Sequence, residues 1–224
     1  MNSITHELTI KVCGMREADN IRAVEQLGVD WLGFIFWPKS SRHVSAKPAY
    51  LPTVCKRAGV FVDEDIRTVR QVADDYALDV IQLHGQETPD YVSTLASLLH
   101  RREGRGGAVS IVKAITIPNA PLSVCHDVIA TSKAYEGLAD YFLFDTKCKT
   151  VGGSGEHFDW TVLGAYDGHT PFLLSGGIGP DDAERILAFR HPRCVGIDLN
   201  SRFELSPGLK DVHQLREFIK KIRS

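Results

Sequence analysis

Apolar positions along this chain fall into two alternating kinds of run. Short β-branched and aromatic runs stand at 8–13, 31–36, 59–62, 79–84, 109–115, 141–145, 171–174 and 194–199, and each reads as a strand. Between them lie stretches whose apolar residues recur every three or four positions, the mark of a helix with one buried face. Ala18, Ile21, Val24 and Leu27 form the first such stripe, Ile66, Val69, Val72, Ala73 and Tyr76 the next, and Val92, Leu95, Leu98 and Leu99 a third, opened by Thr88-Pro89. Residues 118–137 hold a less regular helix, and a short one starts near Asp159. Pro180 starts another with Ala183, Ile186 and Leu187, and Val212, Leu215, Phe218, Ile219 and Ile222 mark the last. After the second strand, residues 37–46 are loop-like, and Pro48 and Pro52 make any helix there short or irregular.

Eight strand–helix units predict a (β/α)₈ TIM barrel of the α/β class. The competing open doubly wound sheet usually has fewer strands, and no Gly-x-Gly-x-x-Gly follows the first strand. No linker divides the chain, so one barrel domain over 1–224 is expected, with 1–7 a loosely ordered extension. Residues 101–107, charged and glycine-rich, are expected to be a flexible connection.

Composition narrows the class. The 224 residues are 43% hydrophobic with a net charge of −2, which gives no bulk electrostatic case for nucleic acid or an anionic membrane. No run reaches the roughly 18–20 apolar residues of a membrane span. Residues 1–6 lack the basic and apolar regions of a signal peptide, so a cytoplasmic location is expected. The five cysteines, Cys13, Cys55, Cys125, Cys148 and Cys194, are odd in number and widely spaced, with no zinc pattern. They fit a reducing compartment, and no metal is expected.

Chemistry in such barrels sits at the C-terminal ends of the strands. Four of those ends carry polar or ionisable residues: Cys13, His84, Asp145 and Asp198. Side chains alternate across a strand. In the first strand Ile10 and Val12 share a face opposite Lys11 and Cys13, and in the fourth Ile81 and Leu83 oppose Gln82 and His84. In the sixth, Phe142 and Phe144 oppose Tyr141, Leu143 and Asp145. If the apolar faces pack on helices, Cys13, His84 and Asp145 point into the barrel mouth. The other register would aim Asp145 at apolar helices, at a high desolvation cost. Each residue alone has an ordinary explanation: a small buried thiol, a hydrogen-bonding histidine, a turn aspartate.

Two loops add an anion site. Ser175-Gly176-Gly177-Ile178-Gly179 follows the seventh strand and precedes a helix start, where bare N–H groups and the helix dipole favour negative charge. Asn200-Ser201-Arg202 follows the eighth, and these two loops form the usual phosphate site of such barrels. Gly152-Gly153-Ser154-Gly155 lacks the lysine of a Walker loop. It reads as a lid-like loop or one whose backbone approaches a ligand.

Eight pieces, in order, resemble the phosphoribosylanthranilate isomerase family: Lys11-Val12-Cys13-Gly14-Met15, Gly33-Phe34-Ile35-Phe36, Pro38-Lys39-Ser40-Ser41-Arg42, Gln82-Leu83-His84-Gly85, Phe144-Asp145-Thr146, Gly152-Gly153-Ser154-Gly155, Leu174-Ser175-Gly176-Gly177-Ile178 and Pro207-Gly208-Leu209-Lys210-Asp211. The resemblance implies a cofactor-free barrel of tryptophan biosynthesis. Its reaction is an Amadori rearrangement of N-(5'-phosphoribosyl)anthranilate to 1-(2-carboxyphenylamino)-1-deoxyribulose 5-phosphate. By matching position, Cys13 is the general base and Asp145 the general acid. Arg42, His84, Asp198 and Glu204 contact substrate, and the phosphate sits on Gly176, Gly177, Asn200 and Ser201. The family usually shows Ser-Ser-Gly where this chain has Asn200-Ser201-Arg202.

These roles carry expectations. Asp145 needs a raised pKa through burial. Cys13 needs to be partly thiolate, with Arg42 as the candidate cation beside it and Lys11, about 7 Å deeper on its strand face, adding positive potential. The partner is a small phosphorylated substrate, and the chain is a monomer or a homodimer. Sister phosphate-binding barrels fit less well: indole-3-glycerol phosphate synthase needs a different acid–lysine arrangement, and the histidine-pathway isomerase has a carboxylate where this chain has Cys13. A barrel that only binds a phosphorylated ligand needs neither Cys13 nor Asp145.

Overall fold

A computed structural model describes residues 8–99, 108–118, 120, 122–146 and 159–224. The expectations for 1–7, 101–107, Cys148 and the glycine loop at 152–155 lie outside the described residues. Eight parallel strands close into a barrel in sequence order: β1 (Thr9–Cys13), β2 (Trp31–Ile35), β3 (Lys56–Phe61), β4 (Val80–Leu83), β5 (Ser110–Ile117), β6 (Tyr141–Thr146), β7 (Phe172–Leu174) and β8 (Cys194–Leu199). Closure is made by β1 against β8, with Lys11 opposite Asp198 and Val12 opposite Leu199. Outside the barrel lie α1 (Ala18–Glu25), α2 (Ile66–Asp75), α3 (Pro89–Leu99), α4 (Leu122–Thr131), α5 (Ala183–Ala188) and α6 (Val212–Arg223). After β8 a 3₁₀ turn, Ser201–Phe203, leads into an antiparallel pair, β9 (Glu204–Ser206) and β10 (Leu209–Lys210).

The alternation along each strand sorts the core into layers. Ile10, Val12, Ile81, Leu83, Phe142 and Phe144 face outward into the large cluster beneath the helices. Trp31, Ala58, Val80, Val112, Ala114, Leu143 and Leu173 fill the barrel interior. A small group of Cys13, Ile35 and Val60 closes it toward the mouth. Helix starts are fixed by side-chain caps. Asp65 accepts from the Arg67 amide, Thr88 from the Tyr91 amide and Asp211 from the Gln214 amide, each worth about 1 kcal/mol.

Three elements differ from the sequence-based expectation. No helix forms between β2 and β3; that stretch is turns and bends. Its end is held by Glu25, whose carboxylate accepts from the Thr53, Val54 and Cys55 amides and from the Tyr50 hydroxyl. β3 starts earlier than its apolar run, because Lys56 and Arg57 already pair with Trp31 and Leu32. Pro180 opens a 3₁₀ turn, Pro180–Asp182, before the six-residue α5. Leu187, placed on the buried stripe, is 40% exposed.

Candidate active site

At the C-terminal mouth lies a cavity of about 180 Å³. Cys13, His84, Asp145, Gly176, Gly177, Asp198, Asn200 and Ser201 all line it, together with Gln82 and Ser175. Arg42 and Glu204 are not among the residues that line it. The geometry explains several glycines nearby. Gly33 pairs with Cys13 in the sheet, and a Cβ there would lie 2.7 Å from the Cys13 sulfur. Gly14, at φ +82°, lets the chain leave β1 where a Cβ would meet the Arg42 stem and Asn200 Oδ1 at 2.8 and 2.9 Å. Gly176 and Gly177 turn the chain after β7 through φ +86° and +69°.

Asp145 Oδ2 lies 3.1 Å from His84 Nε2, and His84 Nδ1 lies 2.9 Å from Gln82 Nε2. The burial expected of Asp145 is partial, since its side chain is 24% exposed. Opposite it, Lys11 reaches up the inside of β1. Its Nζ lies 2.9 Å from Asp198 Oδ1, with both side chains buried. Burial would lower the Lys11 pKa, but the charges of Asp198 and Cys13 outweigh it and hold the ammonium above its usual value.

The cation beside Cys13 is not Arg42. Arg42 is held by Glu204, with Nε 2.9 and 3.0 Å from the two carboxylate oxygens and Nη2 2.6 Å from Oε2. The cations that act on Cys13 are Lys11 and Lys210. The expected net lowering of the thiol is also absent. Burial pushes the Cys13 thiol up, Asp198 adds to that, and the two lysines only partly offset it. Lys210 comes from β10 and was not foreseen as a site residue. Its Nζ donates to Glu204 Oε1 at 2.7 Å and to Asn200 Oδ1 at 2.8 Å. Burial draws the Lys210 ammonium below its usual range despite Glu204. Burial opposes ionisation of Glu204 too, but hydrogen bonds from Arg42 and Lys210 hold its carboxyl below the usual range. The signal for Lys210 was present in Pro207–Asp211, a hairpin-like Pro-Gly turn just past the last strand.

The loops expected to form an anion site present backbone rather than an open helix end. The Gly179 amide donates to Asp182 Oδ2 at 2.8 Å, so the start of the 3₁₀ turn is capped by a carboxylate of this chain. Gly176, Gly177, Asn200 and Ser201 remain together on the cavity wall.

The family model for N-(5'-phosphoribosyl)anthranilate (PRA) isomerase matches residues 10–221. The chain belongs to the N-(5'-phosphoribosyl)anthranilate isomerase family. Among relatives bearing that name, the Parabacteroides distasonis isomerase is 47% identical over 221 residues, covering 96% of this chain and 93% of that one. The Phocaeicola vulgatus isomerase is 45% identical over 216 residues, 96% of this chain and 98% of its own. The Thermotoga maritima phosphoribosyl anthranilate isomerase structure superposes with a TM-score of 0.77 at 29% identity, over 96% of this chain and 98% of that one. A phosphoribosyl anthranilate isomerase solved with reduced 1-(o-carboxyphenylamino)-1-deoxyribulose 5-phosphate gives 0.74 at 25% identity, over 96% and 98%. Within the isomerase family, the described part of this chain keeps the closed barrel and a polar mouth. Among its described residues no helix is long and apolar enough to cross a membrane.

Proposed function

We propose that this chain converts N-(5'-phosphoribosyl)anthranilate to 1-(2-carboxyphenylamino)-1-deoxyribulose 5-phosphate, a step of tryptophan biosynthesis, in the cytoplasm and without a cofactor. Asp145 is the general acid and Cys13 the general base. The observation that carries this reading is that both line one cavity at the strand ends, with Asp145 hydrogen-bonded to His84.

The reaction needs two proton transfers. Asp145 gives a proton to the ribose ring oxygen as the C1'–O bond breaks, leaving an iminium between C1' and the anthranilate nitrogen. Cys13 thiolate then removes the C2' proton, and the C2'–H electrons form a C1'=C2' double bond that neutralises the nitrogen. The enol so formed tautomerises to the ketone. The raised Cys13 thiol is compatible with this order. The iminium acidifies C2'–H, and its positive charge, added to Lys11 and Lys210, draws the thiol down at the moment it must act.

The remaining residues bind. Gly176, Gly177, Asn200 and Ser201 hold the phosphate through backbone N–H groups and polar side chains. Arg42, set in place by Glu204, meets the anthranilate carboxylate with the edge of its guanidinium that Glu204 leaves open. Asp198 keeps Lys11 charged, and His84 steadies the Asp145 carboxylate. The test is direct: generate N-(5'-phosphoribosyl)anthranilate in situ, add the purified protein and follow the loss of substrate fluorescence. Catalysed loss supports the reading, and none by folded protein overturns it.

A further inference from the structure

We infer that Gln82 is a positioning residue that fixes the tautomer of His84 and so decides what His84 offers to Asp145. The inference rests on the acid role proposed for Asp145. Gln82 sits on β4 with its side chain inside the barrel, 1% exposed, on the cavity wall. Its Nε2 lies 2.9 Å from His84 Nδ1. With the carboxamide turned this way Nε2 donates, which makes Nδ1 the bare acceptor and places the ring proton on Nε2. Nε2 is the atom 3.1 Å from Asp145 Oδ2. His84 therefore presents an N–H to one oxygen of Asp145 and leaves the other to carry the proton. When that proton passes to the ribose ring oxygen, the carboxylate left behind already has its donor in place, so no side chain needs to reorganise.

A second observation on the same carboxamide points to the ligand. Gln82 Oε1 is buried and, among the described residues, has no hydrogen-bond partner. A buried orphan carbonyl is costly, and this one belongs to a residue on the cavity wall. A sugar hydroxyl of the bound substrate is the donor that would satisfy it. That bond locks the carboxamide with Nε2 toward His84, so substrate binding reinforces the tautomer that catalysis needs. Turning the amide over would put Oε1 on Nδ1, move the ring proton to Nδ1 and take away the donor to Asp145.

The tautomer is read from the ¹⁵N shifts of the imidazoles in histidine-labelled wild type, with the His84 signals assigned by their loss in His84→Gln. The inference expects a neutral ring with Nε2 protonated and Nδ1 bare; Nδ1–H in the wild type overturns it, whether or not the protein turns over substrate. In Gln82→Glu, whose carboxylate accepts from Nδ1–H, the inference expects the tautomer to reverse and kcat to fall by about 10-fold or more at nearly constant KM. The kcat loss is set below the roughly 10²-fold minimum for loss of an acid itself. An unchanged tautomer with unchanged kcat in a folded Gln82→Glu overturns it. Absence of turnover in the wild type is a failure of the acid–base reading, and the ¹⁵N result separates the two.

Discussion

Lys11 Nζ and Asp198 Oδ1 stand 2.9 Å apart inside the barrel, joining residues 187 positions apart in sequence where the first and last strands close. Both side chains are largely buried, so each charge depends mainly on the other. Removing one partner leaves the other as an unpaired buried charge, which costs about 3–5 kcal/mol. Asp198→Ala should lose stability on that scale in urea unfolding. Lys11→Met combined with Asp198→Leu should recover most of it. Equal stability of Asp198→Ala and wild type would contradict this.

The pH dependence follows from Cys13. Burial holds its thiol above the ordinary value of 9.0 against the pull of Lys11 and Lys210. The active base is the thiolate, and below the thiol pKa its fraction grows about tenfold per pH unit. In the wild type the need for a protonated Asp145 opposes this rise, so the Cys13 limb shows in Asp145→Asn, where kcat/KM should rise with pH and still be rising at pH 9. Lys210→Met removes a cation, so the limb should move further alkaline and kcat/KM at neutral pH should drop. A plateau already reached at neutral pH in Asp145→Asn would contradict the assignment.

Gly33 gives a steric probe of the same sulfur. A methyl group there would sit 2.7 Å from Cys13 Sγ and 3.1 Å from its Cα, and the neighbouring strand backbone has little room to yield. Gly33→Ala should displace the thiol, with a rate loss on the order of 10²-fold and about 1–3 kcal/mol of overpacking. Steady-state kinetics beside thermal unfolding checks it; full activity would show that the sulfur's position is not critical.

Arg42 and Glu204 are coupled by a fork, with Nε and Nη2 both directed at one carboxylate. Lysine cannot reproduce that geometry. Arg42→Lys should raise KM by about tenfold with a small effect on kcat, the signature of lost ground-state and transition-state binding together. A kcat loss at constant KM would instead give Arg42 a part in the chemistry.

The sequence made the barrel readable because its strands are sharply two-faced. Ile10 and Val12 against Lys11 and Cys13, or Phe142 and Phe144 against Leu143 and Asp145, leave one register without a buried carboxylate among helices. The strand ends then pointed to the mouth. Where polar residues begin a strand the pattern goes quiet, and the start of β3 at Lys56 was hidden for that reason. The helix read from Pro180 starts later than expected, because Pro180–Asp182 forms a 3₁₀ turn that Asp182 caps before α5 begins at Ala183. What no local pattern carries is pairing across the closed barrel. Lys11 with Asp198, and Lys210 with Glu204 and Asn200, depend on where loops land in three dimensions. Arg42 therefore looked like the cation for Cys13, when its charge is committed to Glu204.

The central claim is that Cys13 and Asp145 divide the two proton transfers. Its most direct test is turnover of N-(5'-phosphoribosyl)anthranilate by Cys13→Ala and Asp145→Asn beside wild type, with circular dichroism to show that both variants fold. The account predicts that kcat falls by about 10² to 10⁴-fold in each. Near-normal turnover by folded Cys13→Ala would contradict it and place the base elsewhere.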